Sequence, residues 1–254
     1  MKDMMRQLGS VVAVLGLLVS PAHAGLVVFS AFDDAAGPAD PRPNSNAAAA
    51  LFDTAAAGIG AASTINFESA PLGSFHNLTV APGVSIVGTD GGGVDQTIRN
   101  TSHFPTNPAL DGYNTTAGGS NFVEMIAGNL VFTFSNPTQF FGAYFSGAQT
   151  TFFTDTITFS DGASQSINIP ASFNAGGVAF AGFTDAGKLI SSITVTSGTV
   201  GPGGFGDFIG VDDVRFQSGP LTTPVPEPST IVSAGIAFAM GLGYVWRRRK
   251  PTAA

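Results

Sequence analysis

Few residues of this chain could do chemistry, and their types narrow what that chemistry could be. There is no cysteine, so neither a disulfide nor a thiolate nucleophile is available. Of the three histidines, His23 lies in an N-terminal segment read below as removed, which leaves His76 and His103. Neither belongs to a His-Glu-x-x-His helix, and no Gly-x-Ser-x-Gly elbow exposes a serine. Glu68 and Glu124 are the only glutamates before the Pro-Glu-Pro stretch near the end. A glycosidase sets two carboxylates across the scissile bond, and no spacing here singles out such a pair. Gly201-Pro202-Gly203-Gly204-Phe205-Gly206 fits G-x-G-x-x-G. A dinucleotide site needs a helix after that pattern; a strand-like run follows instead, so the stretch reads as a hairpin loop. Thr154, Thr156 and Thr158 alternate along one run, as do Thr194 and Thr196 along another. Such rows can order surface water, the chemistry of ice binders, but they are short and threonine is a common exposed strand residue. No catalytic residue is assigned, and the reading is of a non-enzyme, with a secreted hydrolase as the lesser alternative.

The charges say where these groups sit. Between Gly25 and Ser229 there are sixteen acids against four cations, Arg42, Arg99, Lys188 and Arg215, a balance of −12. Such a surface repels phosphate backbones, so nucleic acid is not expected as a partner. The remaining cations lie at the two ends, each beside an apolar segment.

At the start, Lys2 and Arg6 precede the apolar run Leu8 to Val19, and Ala22-His23-Ala24 forms a small-x-small site before Gly25. This is the pattern of a secretory signal peptide over 1–24, cut by signal peptidase after Ala24 to leave Gly25 as the mature N-terminus. At the other end, 230–246 is a run without charge. A helix of that length is roughly 26 Å long, near the lower limit for crossing a bilayer. Tyr244 and Trp246 stand where interfacial aromatics belong, and Arg247, Arg248, Arg249 and Lys250 act as a stop-transfer cluster that keeps 247–254 in the cytoplasm. In the linker 220–229, Val225-Pro226-Glu227-Pro228 precedes the span; its two prolines hold the backbone extended, as a protease substrate should be.

Proline motif, short span and arginine cluster in this order resemble the PEP-CTERM protein-sorting domain of Gram-negative bacteria, a tail also called the ice-binding protein C-terminal domain. The resemblance covers about the last thirty residues. It implies recognition by an exosortase, an integral-membrane protease that cuts near Pro226-Glu227-Pro228. It further implies passage from a transient inner-membrane anchor to the cell surface or the exopolysaccharide matrix of a biofilm.

Between the ends, 25–62 reads as an apolar run, a Pro- and Asp-rich linker and one helix. "NAAAALFDTAAAGIG" is rich in the best helix former; Asn44 or Ser45 would cap a helix from Asn46 to Ala57, and Gly58 and Gly60 would stop it. From Thr64 onward the period changes to two. "NLVFTFS" alternates Leu130, Phe132 and Phe134 with Val131 and Thr133, and Asp161-Gly162 and Asp185-Ala186-Gly187 mark tight turns. About ten strands without intervening helices predict a mainly β, antiparallel sandwich over 63–219, with 90–120 mostly loop. Phenylalanines that alternate into a core leave Tyr113 and Tyr144 as the only tyrosines able to stack on sugar rings.

"INFE" near the start of this region and "FIGVDDVRF" at its end resemble the pairing first and last strands of jelly-roll modules of the carbohydrate-binding type. The resemblance implies a structural calcium held by Glu68, Asp212 and Asp213, and a body that binds exopolysaccharide. The residues themselves support calcium only so far: in a regular strand Asp212 shares a face with Val214 and Phe216, and a carboxylate there needs a cation or hydrogen bonds.

Overall fold

The computed structural model describes residues 25–89, 95–103, 105–149, 155–172, 175–198 and 207–219. Ala22 and Ala24, the glycine-rich pattern at 201–206, Thr154, the Val225–Pro228 motif, the 230–246 segment and Arg247–Lys250 lie outside the described residues. Among the described residues no helix is long and apolar enough to cross a membrane.

The period-two patterning yields two antiparallel sheets. The first contains β1 (Val27–Asp34), β2 (Ala62–Ile65), β3 (Gly73–Phe75), β6 (Gln96–Arg99), β7 (Phe122–Ile126), β9 (Phe140–Ser146), β12 (Gly177–Thr184) and β14 (Phe208–Gln217). Its order is β1-β12-β9-β14-β7-β6-β3, with β2 on the second half of β14. The second sheet contains β4 (Asn77–Ala81), β5 (Val84–Thr89), β8 (Gly128–Thr138), β10 (Thr156–Ser160), β11 (Ser164–Asn168) and β13 (Ile190–Ser197), ordered β11-β10-β13-β8-β5-β4. The expected partnership of the early and late strands is present: Ile65 faces Val214 and Thr64 faces Arg215.

The main core lies where alternate side chains of both sheets meet. On β8, Leu130, Phe132 and Phe134 are buried while Thr133 is exposed, as the alternation predicts. Phe132 meets Phe141 with ring centroids 5.3 Å apart, and Phe159 stacks on Phe183 at 3.8 Å. Each buried side chain of this size contributes about 1.5–3 kcal/mol.

Strands β9 and β12 are buried along their whole length, because the first sheet is covered on both faces. Its outer face carries α1 (Pro43–Ala57), the one α-helix among the described residues. Phe52 of α1 is fully buried against Phe29, Phe140 and Phe180. Its seat is the cross-strand pair Gly142 and Gly182; a Cβ on Gly142 would stand 3.2 Å from the Phe52 ring and 2.7 Å from that of Phe180.

The helix begins earlier than Asn46, at Pro43, with Arg42 at the cap position. Proline at the first helical position lacks only an N–H that would be unpaired anyway. The expected caps, Asn44 and Ser45, are instead the capped residues. The Asp33 carboxylate, at the end of β1, accepts from Asn44 N at 3.0 Å, Ser45 N at 2.8 Å and the Ser45 hydroxyl at 2.6 Å. Burial works against its ionised form, but these donors together hold the Asp33 carboxyl below its ordinary range. The 25–62 region is thus integral to the body: β1 pairs with β12 from Val27 to Asp34. A short strand, β6, falls within 90–120, where loop was expected, and β3 is a further short strand that the sequence did not single out.

Candidate functional site

The outer face beside α1 is crossed by a strap, residues 111–121, and the sequence-predicted acids prove to be its fasteners. β14 carries a bulge between Asp212 and Arg215 in its pairing with β9. Ahead of it Ile209 and Val211 point into the core; after it Val214 and Phe216 do. The phase flips, so Asp212 does not share a face with Val214 and Phe216 as regular alternation required. Asp213 takes the extra position at φ 47°, a left-handed conformation that aspartate tolerates better than most residues. The bulge therefore aims two consecutive carboxylates at one stretch of strap.

Asp212 is fully buried. Its Oδ2 accepts from Thr115 N at 2.7 Å and Thr116 N at 3.1 Å, and its Oδ1 from Asp213 N at 2.8 Å. The Thr115 hydroxyl lies 3.1 Å from Asp212 Oδ2, and that of Thr116 lies 2.7 Å from Asp213 Oδ1; with one proton each, they divide between the two acids. Burial, reinforced by the Asp213 charge, pushes the Asp212 carboxyl up to about 7 against the pull of these donors. Glu68 fastens the other end. Its Oε1 accepts from Asn114 Nδ2 at 2.9 Å, Ser120 N at 2.9 Å and Asn121 N at 3.1 Å.

These contacts bear on calcium. Most groups facing Asp212 and Glu68 are N–H donors, which a carboxylate accepts and a cation cannot use, and the Thr115 and Thr116 hydroxyls spend their protons on the two aspartates. Among the described residues no three histidine or acidic side chains are grouped to hold a metal. Glu68, Asp212 and Asp213 are brought to one strap but not to one ligand sphere, and as arranged they do not fit calcium.

Between the strap, residues 100–102 with Pro105, and the start of α1 lies a cleft of about 490 Å³. It is lined by Arg42, Asn100, Thr101, Ser102, Asn114, Thr116 and Ser120, with Tyr113 and Phe122 at its base, and no acid is among its described lining residues. The Arg42 guanidinium lies 5.6 Å over the Tyr144 ring and donates from Nη2 to Thr115 O at 3.1 Å. Its Nη1 is buried without an acceptor. Tyr113 and Tyr144, the only tyrosines before the tail that could have stacked on sugars, are both buried. The Tyr113 hydroxyl donates to Ala36 O and that of Tyr144 to Asn46 Oδ1 at 2.7 Å, so neither ring offers an open face.

A second polar group sits at one end of the sandwich. Arg99 Nη1 meets Glu124 Oε1 at 3.0 Å, with His103 Nδ1 at 3.6 Å from the same oxygen. Glu124 is fully buried; burial raises its carboxyl, and Arg99 and His103 oppose this. His103 is half-buried and lies 4.5 Å from the Phe208 ring. His76 is exposed, with Asp95 3.4 Å away. Nearby, Asp155 and Asp207 are buried. Burial pushes Asp155 up to about 6; burial and the Asp155 charge push Asp207 up to about 8. Their oxygens accept backbone donors, Gly198 N to Asp155 at 2.9 Å and Gln149 N to Asp207 at 2.6 Å. Nothing in the local sequence marks Asp155 or Asp207 as buried. The threonine rows do align, Thr156 opposite Thr196 and Thr158 opposite Thr194.

The described residues define a mainly β protein of two antiparallel sheets and one helix. Beyond them, residues 224–250 match the PEP-CTERM protein-sorting motif, so the chain carries that sorting tail. No curated protein sequence matches the chain. Among solved structures, the K2 cleaved adhesin domain of Lys-gingipain is similar at 15% identity and a TM-score of 0.36, over 62% of this chain and 100% of that one. The non-crystalline-cellulose-specific module CBM28 gives 14%, 0.30, 54% and 87%. TmCBM61, solved with β-1,4-galactotriose, gives 13%, 0.25, 61% and 95%. At such scores the likeness assigns neither a topology nor a ligand.

Proposed function

We propose that this chain is a non-catalytic protein exported to the cell surface or exopolysaccharide matrix, in which the sorting tail supplies the address and a jelly-roll-like body the displayed part. The observation that carries this reading is the tail, Val225-Pro226-Glu227-Pro228 followed by an uncharged run and Arg247–Lys250, within the segment that matches the sorting motif. The match supports an exported chain with an exosortase as its processing partner. Signal peptidase acts first, after Ala24, and the inner membrane holds the chain until the second cut. Mass spectrometry of the exported protein tests this: the expected form starts at Gly25 and ends close to Pro226-Glu227-Pro228. A mature form that retains Trp246 and the arginines overturns exosortase processing.

A second reading is that the body binds extracellular polysaccharide. It is favoured by the cleft beside Arg42, whose rim of hydroxyls and amides suits the hydroxyls of sugar rings.

A further inference from the structure

We infer that the cleft beside Arg42 takes the carboxylate of a uronic acid residue in an acidic polysaccharide; this rests on the reading that the body binds polysaccharide.

The argument starts from charge. Of the four cations between Gly25 and Ser229, Arg99 is paired with Glu124 and Arg215 with Asp53 at 3.0 Å. Lys188 donates to Asp161 O at 3.3 Å and stands in the field of Asp161 and Asp185. Arg42 makes no ion pair among the described residues; its fixed partners are a neutral carbonyl and a tyrosine ring. In a span with a balance of −12 between Gly25 and Ser229, an arginine without a carboxylate stands out. A guanidinium is built to donate in parallel to two oxygens of one carboxylate. Here one arm is engaged by Thr115 and the other, Nη1, is buried with no acceptor. An unmet donor is costly to bury; a turn of the guanidinium that gives up the Thr115 O contact would bring Nη1 into the cleft to meet an incoming anion.

The surroundings select the kind of anion. A chain of phosphates would meet the negative field of the whole body. A polymer of uronates meets that field too, so charge alone does not select between them and the ring hydroxyls must. The Asn100 amide and the Thr101 hydroxyl at the cleft can donate to and accept from ring hydroxyls, and the hydroxyl oxygens of Thr116 and Ser120, whose protons are spent within the strap, can still accept; a simple carboxylate would leave these groups unused.

Affinity electrophoresis of the exported protein tests this, in gels holding a polyuronate, neutral dextran or sulfated dextran, with two variants. Arg42→Gln removes the guanidinium. Ala117→Trp fills the mouth of the cleft from an exposed strap position and leaves the Arg42 contacts in place, so it decides the matter if Arg42→Gln fails to fold. Retardation by polyuronate is expected, weakened roughly tenfold or more by each folded variant, and competed by free uronic acid but not by acetate. Competition by acetate as strong as by uronic acid would mean a bare carboxylate site and overturn the sugar assignment. Retardation by dextran alone, or equal retardation of wild type and Ala117→Trp by polyuronate, overturns the uronate inference and leaves the polysaccharide reading standing. Retardation by sulfated dextran that exceeds polyuronate also overturns it. No retardation in any gel sinks both.

Discussion

Asp212 shows how far a single side chain can be read before its neighbours are known. Its identity marked it as a group that needs compensation once buried, and it is fully buried. The compensation comes from Thr115 and Thr116, almost a hundred positions away, and no local signal announces them. The direction in which it points was not legible either, because the bulge at Asp213 flips the strand phase without a glycine or proline to mark it. Asp212→Ala leaves the Thr115 and Thr116 N–H groups buried without an acceptor. A loss of about 2–5 kcal/mol is expected, measured by urea unfolding of purified protein. Because the strap is fastened by hydrogen bonds and not through a cation, the wild-type melting midpoint should be the same with added calcium and with chelator. A calcium-dependent rise would show that the donors now on Asp212 and Glu68 give way to metal.

At the level of elements, legibility follows the length of the pattern. β8 was readable to within a few residues from the alternation of Leu130, Phe132 and Phe134, and β12 from an unbroken apolar run ahead of the Asp185-Ala186-Gly187 turn. β3 and β6 have three and four residues, too few for a period to declare itself. The helix was legible from its alanines but its start was not, because the Asp33 cap arrives from another element. What α1 does for the sheet rests mainly on Phe52, which fills the space above Gly142 and Gly182. Phe52→Ala should cost about 3–5 kcal/mol and loosen the outer face before the inter-sheet core. Hydrogen exchange would show this as early loss of protection in α1 and β1. Uniform loss across β8 and β13 would mean that the helix is not a separable layer. Of the candidate site, the sequence held the fasteners Glu68, Asp212 and Asp213; Arg42 as a cleft residue was not legible, because the strap that forms the cleft with it has no periodic pattern.

Over the whole molecule, the chain enters and leaves the body at one end. Val27 faces Thr184, Asp185 N donates to Gln139 O at 2.8 Å, and Gln139 N donates to Gln217 Oε1 at 3.3 Å. The buried acids Asp155 and Asp207 lie toward the other end, near Gly198 and Gln149. With Asp212, their carboxyls sit at about 6, 8 and 7, above the value near 4 that an unfolded chain gives them. The sign follows directly. Between about pH 4 and pH 8 the folded state holds protons that the unfolded state has lost, so stability falls as pH rises through this window. Asp33 acts in the opposite sense, but its contribution is lost only as pH falls below the ordinary carboxylate range. Self-repulsion of a body with fifteen acids against four cations between 25 and 219, a balance of −11, adds to the decline at high pH. A tenfold change in proton affinity corresponds to ~1.4 kcal/mol, and for a body of this size ~1 kcal/mol moves the midpoint by roughly 2–4 °C. Thermal unfolding should therefore give a midpoint several degrees higher at pH 5 than at pH 8, and Asp207→Asn should flatten that slope. A midpoint that rises with pH would mean that these carboxylates are ionised in the folded state and are compensated by a partner.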